Sequence, residues 1–148
     1  EQLAIAREVE LPVVIHSVKA NDEVVRWIRR DGLGERGGIV HSFWGSSQQA
    51  ATFVELGLHL SIGTQLTWTQ SDRMKTAVQS VGLGRLLVET DAPSRPPPAS
   101  CTGSNSSRNE PAHLSCVVGA LALVLGTTAE AVATATEHNA RLLFEHEI

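Results

Sequence analysis

Three side chains of types that bind metals in proteins follow short apolar runs in this sequence. His16 and His41 each come directly after β-branched residues, and Asp91 follows the run 86–89 after one threonine. Two imidazoles and a carboxylate are ligands that a divalent metal accepts. Each residue alone could instead be a hydrogen-bonded histidine or a helix-capping aspartate. A metal site therefore requires a fold that brings the three side chains together.

Glu89 and Asp91 form a carboxylate pair around Thr90. On an extended chain, residues two apart point to the same side, so both carboxylates could face one site. Asp91 stands at the very end of the predicted strand and is the better ligand, and we take it as the candidate catalytic residue. Glu89 lies one layer deeper, where it suits either a hydrogen bond to a metal ligand or a buried structural hydrogen bond.

The remaining histidines are weaker candidates. His59 lies inside a predicted strand, His113 at a helix start, His138 near a helix end and His146 in the C-terminal tail. Histidines in such positions more often pack, make a local hydrogen bond or face water than bind a ligand. We therefore assign the four of them structural or solvated roles.

The chain around these residues alternates between predicted strands and predicted helices. The predicted strands cover residues 11–16, 39–43, 58–62 and 85–89. The helices between them cover residues 21–30, 48–55 and 73–81. Strands that are apolar almost throughout and alternate with helices indicate a parallel sheet with both faces covered. Because the carboxyl ends of parallel strands meet at one edge, His16, His41 and Asp91 should converge there.

The C-terminal third predicts a loop followed by two helices. Residues 93–109 are rich in proline, serine and asparagine, which is typical of a long surface loop. Pro111 opens an apolar helix whose longest apolar run, 114–126, is too short to span a bilayer. Thr127 and Glu130 have the spacing of a capping box for a last helix. We predict no membrane partner.

Composition narrows the class of protein. A chain of 148 residues with 42% hydrophobic and 19% charged residues is one folded domain and not a disordered segment. Its net charge of -4 argues against a protein that holds nucleic acid by a basic surface, but not against a metal-dependent enzyme. Two cysteines are too few for a disulfide framework, and the first residues carry no signal-peptide pattern. We expect a cytoplasmic protein, with the nucleus or an organelle left open.

Four segments together resemble the TatD family of metal-dependent deoxyribonucleases. In the family's order and spacing they are VVIHS at 13–17, GIVHSFWGS at 38–46, LLVETDAP at 86–93 and RNEP at 108–111. The resemblance runs from Glu1 to about Phe144. It implies a (β/α)8 TIM-type barrel that cleaves DNA phosphodiester bonds, as a deoxyribonuclease or exonuclease, with Mg²⁺, Mn²⁺ or Zn²⁺. His16, His41 and Asp91 would then be metal ligands at the ends of strands five, six and eight.

The length of the chain limits what the resemblance implies. A (β/α)8 barrel takes about 250 residues, so we expect residues 1–148 to be its C-terminal half, strands five to eight with their helices. The family pattern also has a His-x-His pair on the first strand and a glutamate near the fourth, which this sequence lacks. We expect the chain alone to be inactive and to self-associate through exposed half-barrel strand edges. Two alternatives stay open: a catalytically dead truncated fragment, and a related barrel hydrolase acting on another ester or amide.

Two positions depart from the family pattern and bear on DNA binding. The family commonly has arginine after the His-Ser of strand five, whereas this chain has Val18 followed by Lys19. Lys19 is the remaining candidate for a phosphate contact there. Where the family commonly has a small residue, this chain has Trp44, which could stack on a base or pack within its loop.

Overall fold

A computed structural model describes residues 1–68, 71–103 and 105–144 of the chain. Its strands are β1 (Val13–His16), β2 (Gly38–His41), β3 (Leu58–Ile62) and β4 (Leu86–Val88). Its helices are α1 (Gln2–Glu8), α2 (Asn21–Asp31), α3 (Ser47–Glu55), α4 (Gln65–Trp68), α5 (Asp72–Val81), α6 (Ala99–Thr102), α7 (Leu114–Leu125) and α8 (Ala129–Phe144). Single 3₁₀ turns lie at Leu83–Arg85 and Pro111–His113.

The four strands form one parallel sheet in the order β1-β2-β3-β4. In the register of β1 and β2, Val13 pairs with Gly38, and His16 lies beside His41. The predicted parallel α/β sheet is therefore confirmed. Four sequential parallel strands are half the number in a (β/α)8 barrel, so the sheet fits a part of such a barrel.

One face of the sheet packs against helices and holds the main core. Leu58, Leu60 and Ile62 of β3 are fully buried there, together with Phe53 of α3 and Leu121 of α7. Burying each such side chain contributes about 1.5–3 kcal/mol, so this layer is a major source of the sheet's stability.

The opposite face of the sheet carries the polar side chains. Because residues alternate along a strand, His59 and Ser61 of β3 point away from the leucine core. Leu143 of α8 packs on this face against Ile39 and Leu87, and His59 lies beside Ile39 in the register. This face therefore combines apolar packing with polar side chains.

Local interactions after β4 differ in three ways from the sequence prediction. The loop 93–109 contains α6, and its Cys101 forms a disulfide with Cys116 of α7, a pairing that the cysteine count did not predict. At the start of α8 the capping hydroxyl belongs to Thr128, which accepts the Ala131 N–H at 3.1 Å. The prediction that Thr127 caps this helix is wrong by one residue.

Among the described residues, no single helix is long and apolar enough to cross a membrane. Residues 111–125 and 129–144 pass that test only as a pair, and the chain bends by 108° between them.

His59 is buried on the polar face of the sheet. Its side chain is 6% exposed, and its Nδ1 has no hydrogen-bond partner within the described ranges. Burial disfavours the charged imidazolium, and the positive charge of Arg85 adds to this effect. Together they lower the pKa of His59 from 6.5 to about 4.

The lowered pKa of His59 makes the stability of the fold pH-dependent. Between pH 6.5 and pH 4 the unfolded chain binds a proton that the folded chain refuses, so stability falls as the pH falls through this range. From pH 7 to pH 5, the free energy of unfolding should drop by about 2 kcal/mol more in the wild type than in His59→Leu. Urea denaturation at both pH values measures the difference. The same pH dependence in both proteins would contradict the prediction.

Candidate metal centre

The carboxyl ends of β1, β2 and β4 bring four of the predicted site residues to one region. His16 and His41 end adjacent strands, and their ring centroids lie 5.3 Å apart with the planes tilted by 33°. Glu89 and Asp91 follow β4 and reach the ring of His41.

His41 lies between two carboxylates. Its Nδ1 is 2.8 Å from Glu89 Oε2, and its Nε2 is 3.2 Å from Asp91 Oδ1. Because an ionised carboxylate only accepts hydrogen bonds, each contact is a hydrogen bond only when the ring nitrogen that faces the carboxylate carries a proton. The tautomer with the proton on Nδ1 donates to Glu89 and leaves the Nε2 lone pair on the side of Asp91, as in the histidine–carboxylate pairs that support metal ligands.

A turn after β4 places the two carboxylates on different nitrogens of the same ring. Glu89 stays attached to β3, because its N–H donates to the Ile62 carbonyl at 3.0 Å. A Cβ at Gly63 would stand 3.2 Å from Glu89 Cγ, so the glycine leaves room for this side chain. Asp91 then adopts a left-handed φ of 57°, which aspartate tolerates better than most residues. The prediction of an extended strand end at Asp91 is therefore wrong.

Asn109 holds the loop that carries Asp91. Its side-chain amide donates to the carbonyls of Thr90, Ser94 and Arg95, the last two at 2.8 and 3.0 Å. Its backbone N–H donates to the Pro93 carbonyl at 2.9 Å. The residue is almost fully buried, and its motif RNEP indicated the family but no role for this side chain. Only the fold shows that this one amide bonds to carbonyls both before and after Asp91.

Replacing Asn109 with alanine should loosen this loop. The substitution leaves three carbonyls without their shared donor, so the free energy of unfolding should fall by about 2–3 kcal/mol. Asn105→Ala is the matched control, because Asn105 is an exposed asparagine of the same loop. Urea denaturation of the two variants measures the contrast. A loss of the same size in both would show that Asn109 has no special role.

The donors around His41 fit a divalent metal. His41, Glu89 and Asp91 each offer a ligand atom within 4.8 Å of the others. Two ligands bound to one zinc ion at about 2.1 Å lie about 3–3.5 Å apart, which matches the 3.2 Å between His41 Nε2 and Asp91 Oδ1. Glu89 Oε1 is buried, and no partner for it exists in the part of the chain that is described. Imidazole and carboxylate donors suit Mg²⁺, Mn²⁺ or Zn²⁺.

His16, the other predicted ligand, lies beside this cluster and outside the group of three. Glu89, which the sequence left between two roles, lies inside it. The ligand set of His16, His41 and Asp91 remains a prediction.

A cavity of about 780 Å³ adjoins the cluster and includes His16 and His41 in its wall. Its cationic lining residues are Lys19, Arg26, Arg73 and Arg95. The carboxylates in the lining are Asp22 and Glu23. The lining thus has four cations and two carboxylates, whereas the whole chain has a net charge of -4. The cavity should therefore attract anions even though the protein as a whole is acidic.

Arg95 is a site residue that the sequence analysis missed. Its Nη1 donates to Ser42 Oγ at 3.3 Å and lies 3.8 Å from Asp91 Oδ2. Its carbonyl accepts hydrogen bonds from Thr64 and Asn109. It stands in the proline-rich loop, where no sequence pattern indicates that an arginine turns back toward the strand ends.

Lys19 and Trp44, the two predicted substrate residues, both line the cavity. Lys19 is exposed and has a left-handed φ of 54°. Trp44 is half exposed, whereas its neighbour Phe43 is fully buried with its ring edge-on to Phe53. The loop uses Phe43 for packing and leaves the tryptophan ring at the rim.

Sequence comparisons connect the chain with hydrolases. It is 34% identical over 143 residues to the uncharacterized metal-dependent hydrolase YabD of Bacillus subtilis. It is 33% identical over 147 residues to the 3'-5' ssDNA/RNA exonuclease TatD of a Rahnella species. Each match covers 97% of this chain but only 54% and 55% of the relative. The chain thus spans about half the length of the curated relatives it matches.

Comparisons of structures and families agree with this result. The crystal structure of YjjV, a TatD homologue from Escherichia coli K12, has a TM-score of 0.86 at 33% identity. The match covers 97% of this chain and 53% of that one. The family model described as TatD related DNase matches residues 1–145. The chain belongs to the TatD-related DNase family, as its four motifs predicted.

Proposed function

We propose that this chain supplies the metal centre of a hydrolase that cleaves phosphodiester bonds in DNA. His41, Asp91 and His16 would hold the divalent metal, and Glu89 would orient His41 through its Nδ1. The observation that carries the proposal is the position of His41 between two carboxylates, at the mouth of a cation-lined cavity.

The chain's own residues have separate tasks in such a site. When bound, a divalent metal supplies a Lewis acid that activates water and offsets charge on the phosphate. Glu89 keeps the proton on His41 Nδ1, so that Nε2 remains free to act as a ligand. Arg95 and Lys19 provide cations that bind phosphate oxygens and hold the backbone in place.

The choice of DNA as substrate has two supports. The Rahnella relative is named as an exonuclease on single-stranded DNA and RNA. The cavity beside the metal cluster carries twice as many cations as carboxylates, which suits a polyanion better than a neutral amide. Two alternatives remain: a related barrel hydrolase that acts on another ester or amide, and a catalytically dead fragment.

A chimera tests the proposal. Residues 1–148 replace the matching part of the Rahnella exonuclease, and hydrolysis of single-stranded DNA, a small phosphodiester and a small amide is compared. We expect DNA hydrolysis that a chelator stops and added metal restores. The 148-residue chain alone should show none, because the family pattern includes ligands that it lacks. Turnover of the amide alone would support the other hydrolase, and a folded, metal-binding chimera without turnover would support a dead fragment.

We also propose that the chain self-associates through β1. This strand is an edge of the sheet, and Val14 at its centre is 62% exposed. At the other edge, α8 covers part of β4, and Asn139 donates to the carbonyls of Leu83 and Leu86. The β1 edge therefore offers the better template for pairing with a second chain.

A lysine at the β1 edge should weaken this association. We expect the wild type to form dimers or larger species, and Val14→Lys to shift the distribution toward monomer. Leu123→Lys is the matched control, because Leu123 is 86% exposed on α7, away from the strand edge. Analytical ultracentrifugation over a concentration series provides the measurement. A wild type that stays monomeric at every concentration would refute the proposal.

A further inference from the structure

We propose that Trp44 and Trp68 are a pair of stacking surfaces that hold unpaired bases of a nucleic-acid strand beside the metal cluster. The inference rests on the proposed function, because it assumes a nucleic-acid substrate. It adds the two residues that would select for exposed bases, and Trp68 is one that no sequence motif indicated.

Both tryptophans leave about half of a large apolar side chain exposed to solvent. Trp44 is 50% exposed and Trp68 is 48% exposed, and both line the same cavity. Their apolar neighbours Phe43 and Leu66 are buried in the core. A tryptophan ring buries a large apolar area when it is covered, so two open rings in one cavity wall favour a ligand with flat faces.

The backbones beneath the two rings are fixed. The Trp44 carbonyl accepts the Asn21 side-chain amide at 3.1 Å, and the following Ser46 forms a capping box with Gln49. Before Trp68, the Thr67 hydroxyl donates to the Thr64 carbonyl at 2.6 Å. Stacking surfaces on fixed backbones lose little conformational entropy when a ligand binds.

The charges of the cavity fit a strand in which bases alternate with phosphates. Lys19 lies in the loop after β1, Arg26 lies on α2, and Arg73 lies on α5, five residues after Trp68 in the sequence. Of the two carboxylates in the wall, Asp22 accepts a hydrogen bond from Gln49 at 3.0 Å, while Glu23 is exposed. Aromatic faces interleaved with cations are typical of single-strand binding sites, where stacking tolerates any base.

Direct binding to the 148-residue chain tests the proposal without hydrolysis. Fluorescence anisotropy of a labelled short oligothymidylate is measured in the presence of a chelator. Trp44→Leu and Trp68→Leu should each weaken binding by about 5- to 150-fold, which corresponds to 1–3 kcal/mol per stacked base. The Phe variants should retain most of the affinity, because they keep an aromatic face.

Trp27 provides a matched control. It is 49% exposed, like the other two, but lies on α2 in the wall of a different cavity. Trp27→Leu should leave binding unchanged, and an abasic oligomer of equal charge should bind the wild type less tightly than the base-bearing strand.

The proposal would be overturned by no binding of the wild type, by equal binding of the abasic oligomer, or by Leu variants that bind like the wild type. If a Leu variant fails to fold, two measurements still decide: the affinity of the Phe variants, and the affinity for the abasic oligomer compared with that for the base-bearing strand. Equal binding of a charge-matched polysaccharide would also overturn it, in favour of sugar stacking. The chimera's turnover tests the proposed function separately, because base binding in chelator requires no metal and no hydrolysis.

Discussion

Replacing Asp91 with asparagine should lower DNA hydrolysis by the chimera by at least about 100-fold. Substituting a residue that hydrogen-bonds a metal ligand typically lowers metal affinity or activity by about 10- to 100-fold. Removing the charge of a ligand itself should lower activity more. Asparagine keeps the size of the side chain and tolerates the left-handed φ of 57° at this position. The variant therefore removes the charge while preserving the turn.

The reason for the large effect is the position of the carboxylate. Asp91 Oδ1 is 3.2 Å from His41 Nε2, and Oδ2 is 3.8 Å from Arg95 Nη1. Steady-state hydrolysis of single-stranded DNA measures the effect, with Asp72→Asn on α5 as the control for an exposed aspartate outside the cavity. Full activity of Asp91→Asn would mean that Asp91 stabilises the turn and does not act as a metal ligand.

A single added methyl group at Gly38 should destabilise the fold by about 3 kcal/mol or more, at or above the upper end of the usual overpacking range. Gly38 pairs with Val13 across β1 and β2. A Cβ there would clash with the Val13 carbonyl oxygen and would stand 2.6 Å from Val13 Cγ2. Because one of these atoms belongs to the backbone, Gly38→Ala can fit only if β1 moves, and His16 moves with it.

Gly119→Ala is the matched control for this prediction. Gly119 lies inside α7, and a Cβ there meets no other described atom within 4 Å. Alanine favours a helix by about 1 kcal/mol over glycine, so this variant should be more stable than the wild type. Urea denaturation measures both changes in the free energy of unfolding: a decrease for Gly38→Ala and an increase for Gly119→Ala. Similar stability for Gly38→Ala and the wild type would show that β1 is displaced at little cost.

The parallel sheet could be predicted because its signs are local. Apolar runs that alternate with amphipathic helices indicate βα units, and parallel strand ends share an edge. This reasoning led from His16, His41 and Asp91 to one region of the molecule, where the structure places them. The bounds of β3 were also predicted correctly, since Gly57 and Gly63 enclose its apolar run.

The details of the site depend on turns that sequence patterns do not specify. The left-handed turn at Asp91 decides which nitrogen of His41 each carboxylate meets. Arg95 and Trp68 reach the cavity from loops and a short helix whose paths are set by packing with distant residues. The same holds for Asn109, whose partners lie up to 19 residues away.

The bond from Asn139 to the Leu86 carbonyl has a consequence for the synthesis of the protein. The two residues are 53 positions apart, so β4 leaves the ribosome well before the amide that covers its edge. At about 5–20 residues per second, the delay is roughly 3 to 10 seconds. During that interval the nascent strand can pair with neighbouring chains, and the yield of native protein depends on how soon α8 follows.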